Sequence, residues 1–254
     1  MIIRKSAAEI ERMARAGAVV ADALALIGER AQPGVTTAEL DTLADEFIRS
    51  QGGVPTFLGY RGYPASVCIS PNDMVVHGIP GAYVLDDGDI LSVDVGVTLD
   101  GFVADSAYTF PVGDVTPEAE RLLQGGQAAL AAGIEQCRVG KHLSDISHAI
   151  QRETESRGFA VVRSLVGHGV GRSMHEEPQI PNFGEPGRGA VLSAGMTFAI
   201  EPMINAGGSD VVLHEDQWSI STADGSLSAH FEHTVGITDE GPRILTRARA
   251  GVRG

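Results

Sequence analysis

The sequence predicts an α+β fold built around a largely antiparallel sheet. Three observations lead there. Segments with helical periodicity occur in two pairs, one at the start of the chain and one in the middle; runs rich in β-branched residues follow each pair; and Asp100-Gly101, a dipeptide suited to a two-residue hairpin turn, separates two of those runs.

In chain order, Ser6-Ala-Ala-Glu9 has capping-box spacing, and Ile10, Met13, Gly17, Val20, Leu24 and Ile27 then recur at helical intervals up to Pro33-Gly34. Thr36 with Glu39 repeats the cap before Leu40, Leu43, Phe47 and Ile48, and Gly52-Gly53 closes this second helix. Strands are expected over 90–98 and 102–110, on either side of the hairpin turn. A third helix starts at Thr116-Pro117, with a capping Thr and a Pro at the first helical position, and a fourth covers 143–157 before Gly158. Three further strands are expected over 160–166, 196–204 and 230–237. Leu85-Asp-Asp-Gly88 leads to Asp94 with the spacing by which Leu192-Ser-Ala-Gly195 leads to Glu201, an echo that suggests two duplicated halves, each turn feeding a strand that carries a carboxylate.

Length and composition bound the function. At 254 residues a single catalytic domain over 1–254 is the default, and 43% hydrophobic with 20% charged residues is ordinary for a folded protein. The formal charge of −14 argues against a nucleic-acid or anionic-membrane partner, since phosphate binding needs clustered Lys and Arg. The spacing of Cys68 and Cys137 suggests neither a disulfide framework nor a thiolate zinc site, and a reducing compartment is expected. With no secretory signal in the first residues and no apolar run of about 18 residues, a cytoplasmic location is expected.

Three acids interrupt the apolar strands: Asp94 in Leu91-Ser-Val-Asp-Val-Gly-Val97, Glu201 in Phe198-Ala-Ile-Glu-Pro-Met203, and Glu232 in Phe231-Glu-His-Thr-Val235. A buried carboxylate costs several kcal/mol unless a cation, hydrogen bonds or a raised pKa relieves it. Taken singly, such a residue is more often solvated or paired with Arg. Few basic residues lie near these three, so a bound metal is the better counter-charge. If Asp100-Gly101 closes a two-residue hairpin, position 105 faces position 96 and Asp105 shares a sheet face with Asp94, near enough to hold metal ions between them. His168, in Gly167-His-Gly-Val-Gly171, is open to close approach by a metal or ligand, although a lone His is more often an ordinary hydrogen-bonder; His77 carries the same ambiguity. Other catalytic templates fail: Gln179 breaks the two-histidine zinc helix that His175-Glu176 would begin, and no nucleophile-elbow serine, dinucleotide fingerprint or phosphate loop occurs.

Together with Gly59-Tyr-Arg-Gly-Tyr-Pro64, Val67-Cys-Ile-Ser-Pro-Asn72, His77-Gly-Ile-Pro80, Asp87-Gly-Asp89, Gly101-Phe-Val-Ala-Asp105 and His175-Glu-Glu-Pro178, these segments resemble the type I methionine aminopeptidases along nearly the whole chain. The resemblance implies the pita-bread fold, two pseudo-symmetric halves around a curved, largely antiparallel sheet. It implies that Asp94, Asp105, His168, Glu201 and Glu232 bind two divalent metal ions per chain (Co, Mn, Fe or Zn), with Asp105 and Glu232 bridging both. The implied activity is release of the initiator methionine from nascent polypeptides with a small second residue, by attack of a metal-held hydroxide on the scissile carbonyl. Glu201 is then a base as well as a ligand, His77 and His175 contact substrate and handle charge, and Tyr60, Tyr63, Cys68 and Trp218 line the methionine pocket. Phe57 and Met174 depart from the family's pattern around that pocket. The resemblance also implies a monomer in transient contact with the ribosome. A proline-specific dipeptidase or aminopeptidase on the same fold is the nearest alternative, though such enzymes usually carry an additional amino-terminal domain.

Overall fold

The structure, a computed structural model, describes residues 1–247; residues 248–254 of the expected 1–254 domain lie outside them. Helix α1 spans Ala7–Arg30 and α2 spans Thr37–Ser50, each opened by the expected reciprocal cap: Glu9 N donates to Ser6 Oγ and Ser6 N to Glu9 Oε2, and Thr36 and Glu39 do the same. Strands β1 (Val54–Pro55), β2 (Cys68–Pro71), β3 (Met74–Val76), β4 (Ile90–Leu99) and β5 (Phe102–Pro111) complete the first half. Helices α3 (Pro117–Glu135) and α4 (Leu143–Ser156) open the second. Ten strands follow: β6 (Ala160–Val161), β7 (Val166–Gly169), β8 (Glu176–Pro181), β9 (Thr197–Ile200), β10 (Met203–Asn205), β11 (Val211–Leu213), β12 (Ile220–Thr222), β13 (Ser228–His230), β14 (His233–Thr238) and β15 (Gly241–Ile244).

Among the described residues the strand pairings are all antiparallel and fall into four ladders, ordered β1-β4-β2 with β5 also on β4, β13-β10-β6, β11-β12-β3, and β15-β14-β9-β7-β8. The buried faces of α1 and α2 pack on the first ladder, through residues such as Val20, Ile27, Leu40 and Ile48 against Leu91, Val93 and Val95. Those of α3 and α4 pack on the second half, through Leu122, Ile134, Ile146 and Ile150 against Phe198, Ile200 and Phe231.

The echo between Asp94 and Glu201 is structural. Leu85 and Leu192 are both fully buried, and each exchanges two backbone hydrogen bonds with the turn ahead of a helix: Gly34 N and Val35 O for Leu85, Gly140 N and Lys141 O for Leu192. Gly88 and Gly195 then both take positive φ, 98° and 91°, which glycine adopts at little cost, just ahead of each acid-bearing strand.

Three expected strands are each interrupted. The 160–166 run bends at Arg163-Ser164 between β6 and β7. The 196–204 run breaks at Glu201-Pro202, so that β9 and β10 belong to different ladders, and Pro202 has no N–H with which to continue one. The 230–237 run breaks at Phe231-Glu232, because these two backbones pair elsewhere: Phe231 N donates to Pro202 O at 3.2 Å and Glu232 N to Ala107 O at 2.9 Å. Each of the two acids therefore sits where a strand changes partners.

Helix α1 crosses the end of the described chain closely at Gly17, where an added Cβ would lie 2.1 Å from Leu245 O. Backbone cannot yield as a flexible side chain would. Gly17→Ala should destabilise the fold by about 1 to 3 kcal/mol, as overpacking of a filled contact does. A urea midpoint equal to that of the parent would show that α1 and residue 245 separate without cost.

Candidate metal centre

The Asp100-Gly101 turn forms as expected, with φ of 50° and 76°, and sets Gly96 opposite Asp105. Asp94, two residues along β4, stands opposite Ala107 on one side and Cys68 of β2 on the other. Across a seam of hydroxyls, β5 meets residues 230–234 of the other half. Thr109 Oγ1 accepts from His230 N at 2.9 Å and donates to His230 O at 2.8 Å; Thr234 Oγ1 does the same to Asp105, at 2.9 and 2.8 Å. Ser106 Oγ donates to Glu232 O at 2.5 Å. These pairs fix the backbones of Asp105 and Glu232 against each other before any ligand arrives.

Asp105, His168 and Glu232 each offer one ligand atom, and the three atoms lie within 4.8 Å of one another. Glu201 borders them, its Oε1 3.4 Å from His168 Nε2, which is itself 3.7 Å from Asp105 Oδ2. His168 Nδ1 lies 2.9 Å from Gly169 O. A carbonyl only accepts, so Nδ1 carries the proton and Nε2 presents its lone pair to the acids. Asp94, Asp105, His168, Glu201 and Glu232 all line one cavity of about 280 Å³.

Burial pushes the carboxyls of Asp94, Asp105, Glu201 and Glu232 above the ordinary range, and neighbouring carboxylates raise Asp105, Glu201 and Glu232 further. Burial drives His168 down to about 4, so the imidazole is a poor counter-cation for them near neutral pH. Asp94 Oδ1, Asp105 Oδ1 and Glu232 Oε1 are shielded from solvent and have no hydrogen-bond partner. Unsatisfied anionic oxygens in one small space are what a divalent cation relieves, and four carboxylates with one imidazole nitrogen are a donor set for such an ion. The residues present fit a metal centre.

The same cavity holds every other residue singled out in the sequence: His77, His175, Tyr60, Tyr63, Cys68, Trp218, Phe57 and Met174. The His175 ring lies against His168, 4.2 Å between centroids, and is also stacked with Tyr60 at 5.5 Å, with Tyr60 Oη 2.8 Å from His175 Nδ1. Burial, with the nearby Arg61 guanidinium, holds His175 below the usual imidazole range. His77 takes φ of 59°, a left-handed value uncommon for a residue other than glycine, and burial lowers its pKa to about 4. Tyr63 meets Trp218 edge-on at 5.1 Å and Phe57 at 6.5 Å, making an apolar wall. Gly96 leaves space for that wall, since an added Cβ would lie 2.8 Å from the Phe57 ring.

Two residues near the acids escaped sequence reasoning. His230 is 2% exposed, and its unpartnered Nε2 lies 3.7 Å from Glu201 Oε2. Its signal was its position two residues before Glu232, the same face under strand alternation. Asn182, also buried, donates from Nδ2 to Glu201 O at 3.0 Å and so fixes the bend at which that acid sits. Nothing local in the sequence marks it.

The profile of metallopeptidase family M24 matches residues 11–239. A methionine aminopeptidase of Clostridium perfringens is 52% identical over 246 residues, which cover 97% of this chain and 99% of that relative. The crystal structure of methionine aminopeptidase from Rickettsia prowazekii superposes with a TM-score of 0.96 at 43% identity, covering 97% of this chain and 100% of that one. The prolidase from Pyrococcus furiosus shares the fold, with a TM-score of 0.78 at 20% identity over 97% of this chain and 66% of its own.

Proposed function

Since this chain belongs to metallopeptidase family M24, we propose that it removes the amino-terminal methionine of nascent proteins and peptides, preferring a small second residue, and that residues 1–254 form one catalytic domain. The observation that carries this reading is the set of orphaned carboxylate oxygens gathered around His168 at the floor of an aromatic-walled cavity.

Asp94, Asp105, His168, Glu201 and Glu232 would hold two divalent ions; oxygen-rich ligation with one imidazole suits Co, Mn, Fe or Zn. Once bound, such ions lower the pKa of water and stabilise charge growing on a carbonyl oxygen. The chain's own residues do the rest. Glu201, beside His168 and His230, takes a proton from the attacking water and later releases it to the leaving amine. His175, braced by Tyr60, donates to the carbonyl oxygen as it becomes an oxyanion. His77, kept neutral by burial, contacts the scissile amide. Tyr60, Tyr63, Cys68 and Trp218 enclose the unbranched thioether side chain, and Phe57 and Met174 narrow the same pocket. The enzyme acts in this reading as a cytoplasmic monomer in transient contact with the ribosome. None of the described helices is long and apolar enough to cross a membrane.

The shared fold of the prolidase keeps a proline-specific dipeptidase or aminopeptidase in view as the second reading, of which the aminopeptidase would cleave a tripeptide. Hydrolysis of Met-Ala-Ser and Ala-Pro-Ala separates the two. Chelator-sensitive release of free methionine from the first peptide, with the second left intact, is the expected result; cleavage of Ala-Pro-Ala alone would replace this function with the other.

A further inference from the structure

The carbonyl-facing His175 ends a short loop whose shape is set from the far end of the chain. The side chain of Glu176, the next residue, is almost fully buried, and its Oε1 accepts from Arg172 N at 2.8 Å and Ser173 N at 3.4 Å, which closes residues 171–176 around the carboxylate. Its Oε2 meets Lys5 Nζ at 2.5 Å, with both side chains under 10% exposed, at 3% and 7%. Lys5 is anchored in turn: its N donates to Gly195 O at 2.6 Å, and Arg4 Nε donates to Ala194 O at 2.7 Å. Gly171 makes room for the pair, since an added Cβ would stand 2.4 Å from Lys5 Cε and 2.7 Å from Glu176 Oε1.

A buried ion pair adds little net stability, because losing water offsets most of the attraction between its charges. What it does supply is geometry: one lysine, reaching in from ahead of α1, can satisfy this carboxylate only with the loop in one place. The loop carries Met174 and His175 into the cavity, and of the two it is the His175 ring that lies beside both Tyr60 and His168.

We propose that Lys5 and Glu176 are positioning residues for His175, holding its imidazole where the carbonyl oxygen of the substrate will lie. The inference rests on the role given to His175 above. Displacement of a catalytic group by about 1 Å can cost on the order of a hundredfold in rate, whereas Met174 is one of several apolar side chains enclosing the pocket, so the pair acts chiefly on kcat and leaves the acids untouched.

Lys5→Met alone strands a buried carboxylate and can unfold the loop, so the informative variant is Lys5→Met with Glu176→Gln, which removes both charges at once. On Met-Ala-Ser, the expected result is a kcat lower by about tenfold or more, with KM and the affinity for Mn(II) measured by calorimetry near those of the parent. The imidazole ¹⁵N signal of His175 should also shift as its contact with Tyr60 loosens. In a His175→Ala background the same two changes should cost no further activity. Parental kcat in the double variant, with His175→Ala strongly impaired, would overturn the positioning role while leaving the proposed function standing. Parental kcat in His175→Ala itself would instead sink the role of that histidine, and this inference with it. An equal additional loss in the His175→Ala background would show that the pair acts by another route.

Discussion

Glu201→Gln is expected to lower the turnover of Met-Ala-Ser by about a thousandfold, and at the same time to raise the thermal midpoint of the metal-free protein. The two effects have one cause. Glu201 is one of four buried carboxyls crowded into a small space, and its neighbours within ion-pair distance are His168 and His230, both driven by burial to pKa values of about 4 and about 3. Each carboxylate there repels the others and has lost most of its water, an arrangement that is unfavourable for the empty fold and favourable only when cations share the space. Glutamine keeps the volume, leaves the Asn182 contact to the backbone of residue 201 unchanged, and removes one charge. It also removes a basic oxygen that can take a proton. A gain of about 1 kcal/mol, or 2 to 4 °C for a chain of this size, is expected by calorimetry in the presence of chelator. Parental turnover at full metal occupancy would remove Glu201 from the chemistry, and a lowered midpoint would mean that its carboxylate is already satisfied within the protein.

That opposition between folding and function explains which parts of the molecule the sequence displays. The helices are legible because caps and periodicity are local: Ser6 with Glu9 and Thr36 with Glu39 form the reciprocal bonds their spacing demands. The Asp100-Gly101 hairpin is legible for the same reason, and with it the placement of Asp105 opposite Gly96. The broken strands are not. Pro202 alone hints at a break in the 196–204 run, and nothing within 230–237 says that Glu232 stands at a point of partner exchange, because the groups that take up its backbone and its neighbour's, Ala107 O for Glu232 N and Pro202 O for Phe231 N, are distant in sequence. The hydroxyl seam is hidden likewise. Thr109 and Thr234 look like ordinary strand threonines until each is seen to hold both backbone groups of a residue in the other half. The acids themselves announced a site because they conflict with their apolar surroundings, whereas Asn182 and Lys5 conflict with nothing near them in sequence and emerge only from the folded chain.

Stripping the protein of divalent ions should then weaken the fold without abolishing it. An ion that binds only the folded state, present at about a thousand times its dissociation constant, stabilises by about 4 kcal/mol. Its removal should lower the midpoint by about 8 to 16 °C, at 2 to 4 °C per kcal/mol. Small metallodomains that lack a core unfold outright under chelation. This chain differs, since two helix pairs bury separate apolar clusters against the sheets and the Thr109 and Thr234 hydroxyls tie the halves together with no ion needed. The expected calorimetric result with chelator is a single transition at a lower temperature, restored by adding back Mn(II) or Co(II), with turnover lost and regained in parallel. Thr234→Val should enlarge the drop, because it frees the Asp105 backbone while the acids still repel. A midpoint indifferent to chelator, in protein whose turnover the chelator abolishes, would mean that the catalytic ions are not held among these buried carboxylates, and the charge argument for the site would fail.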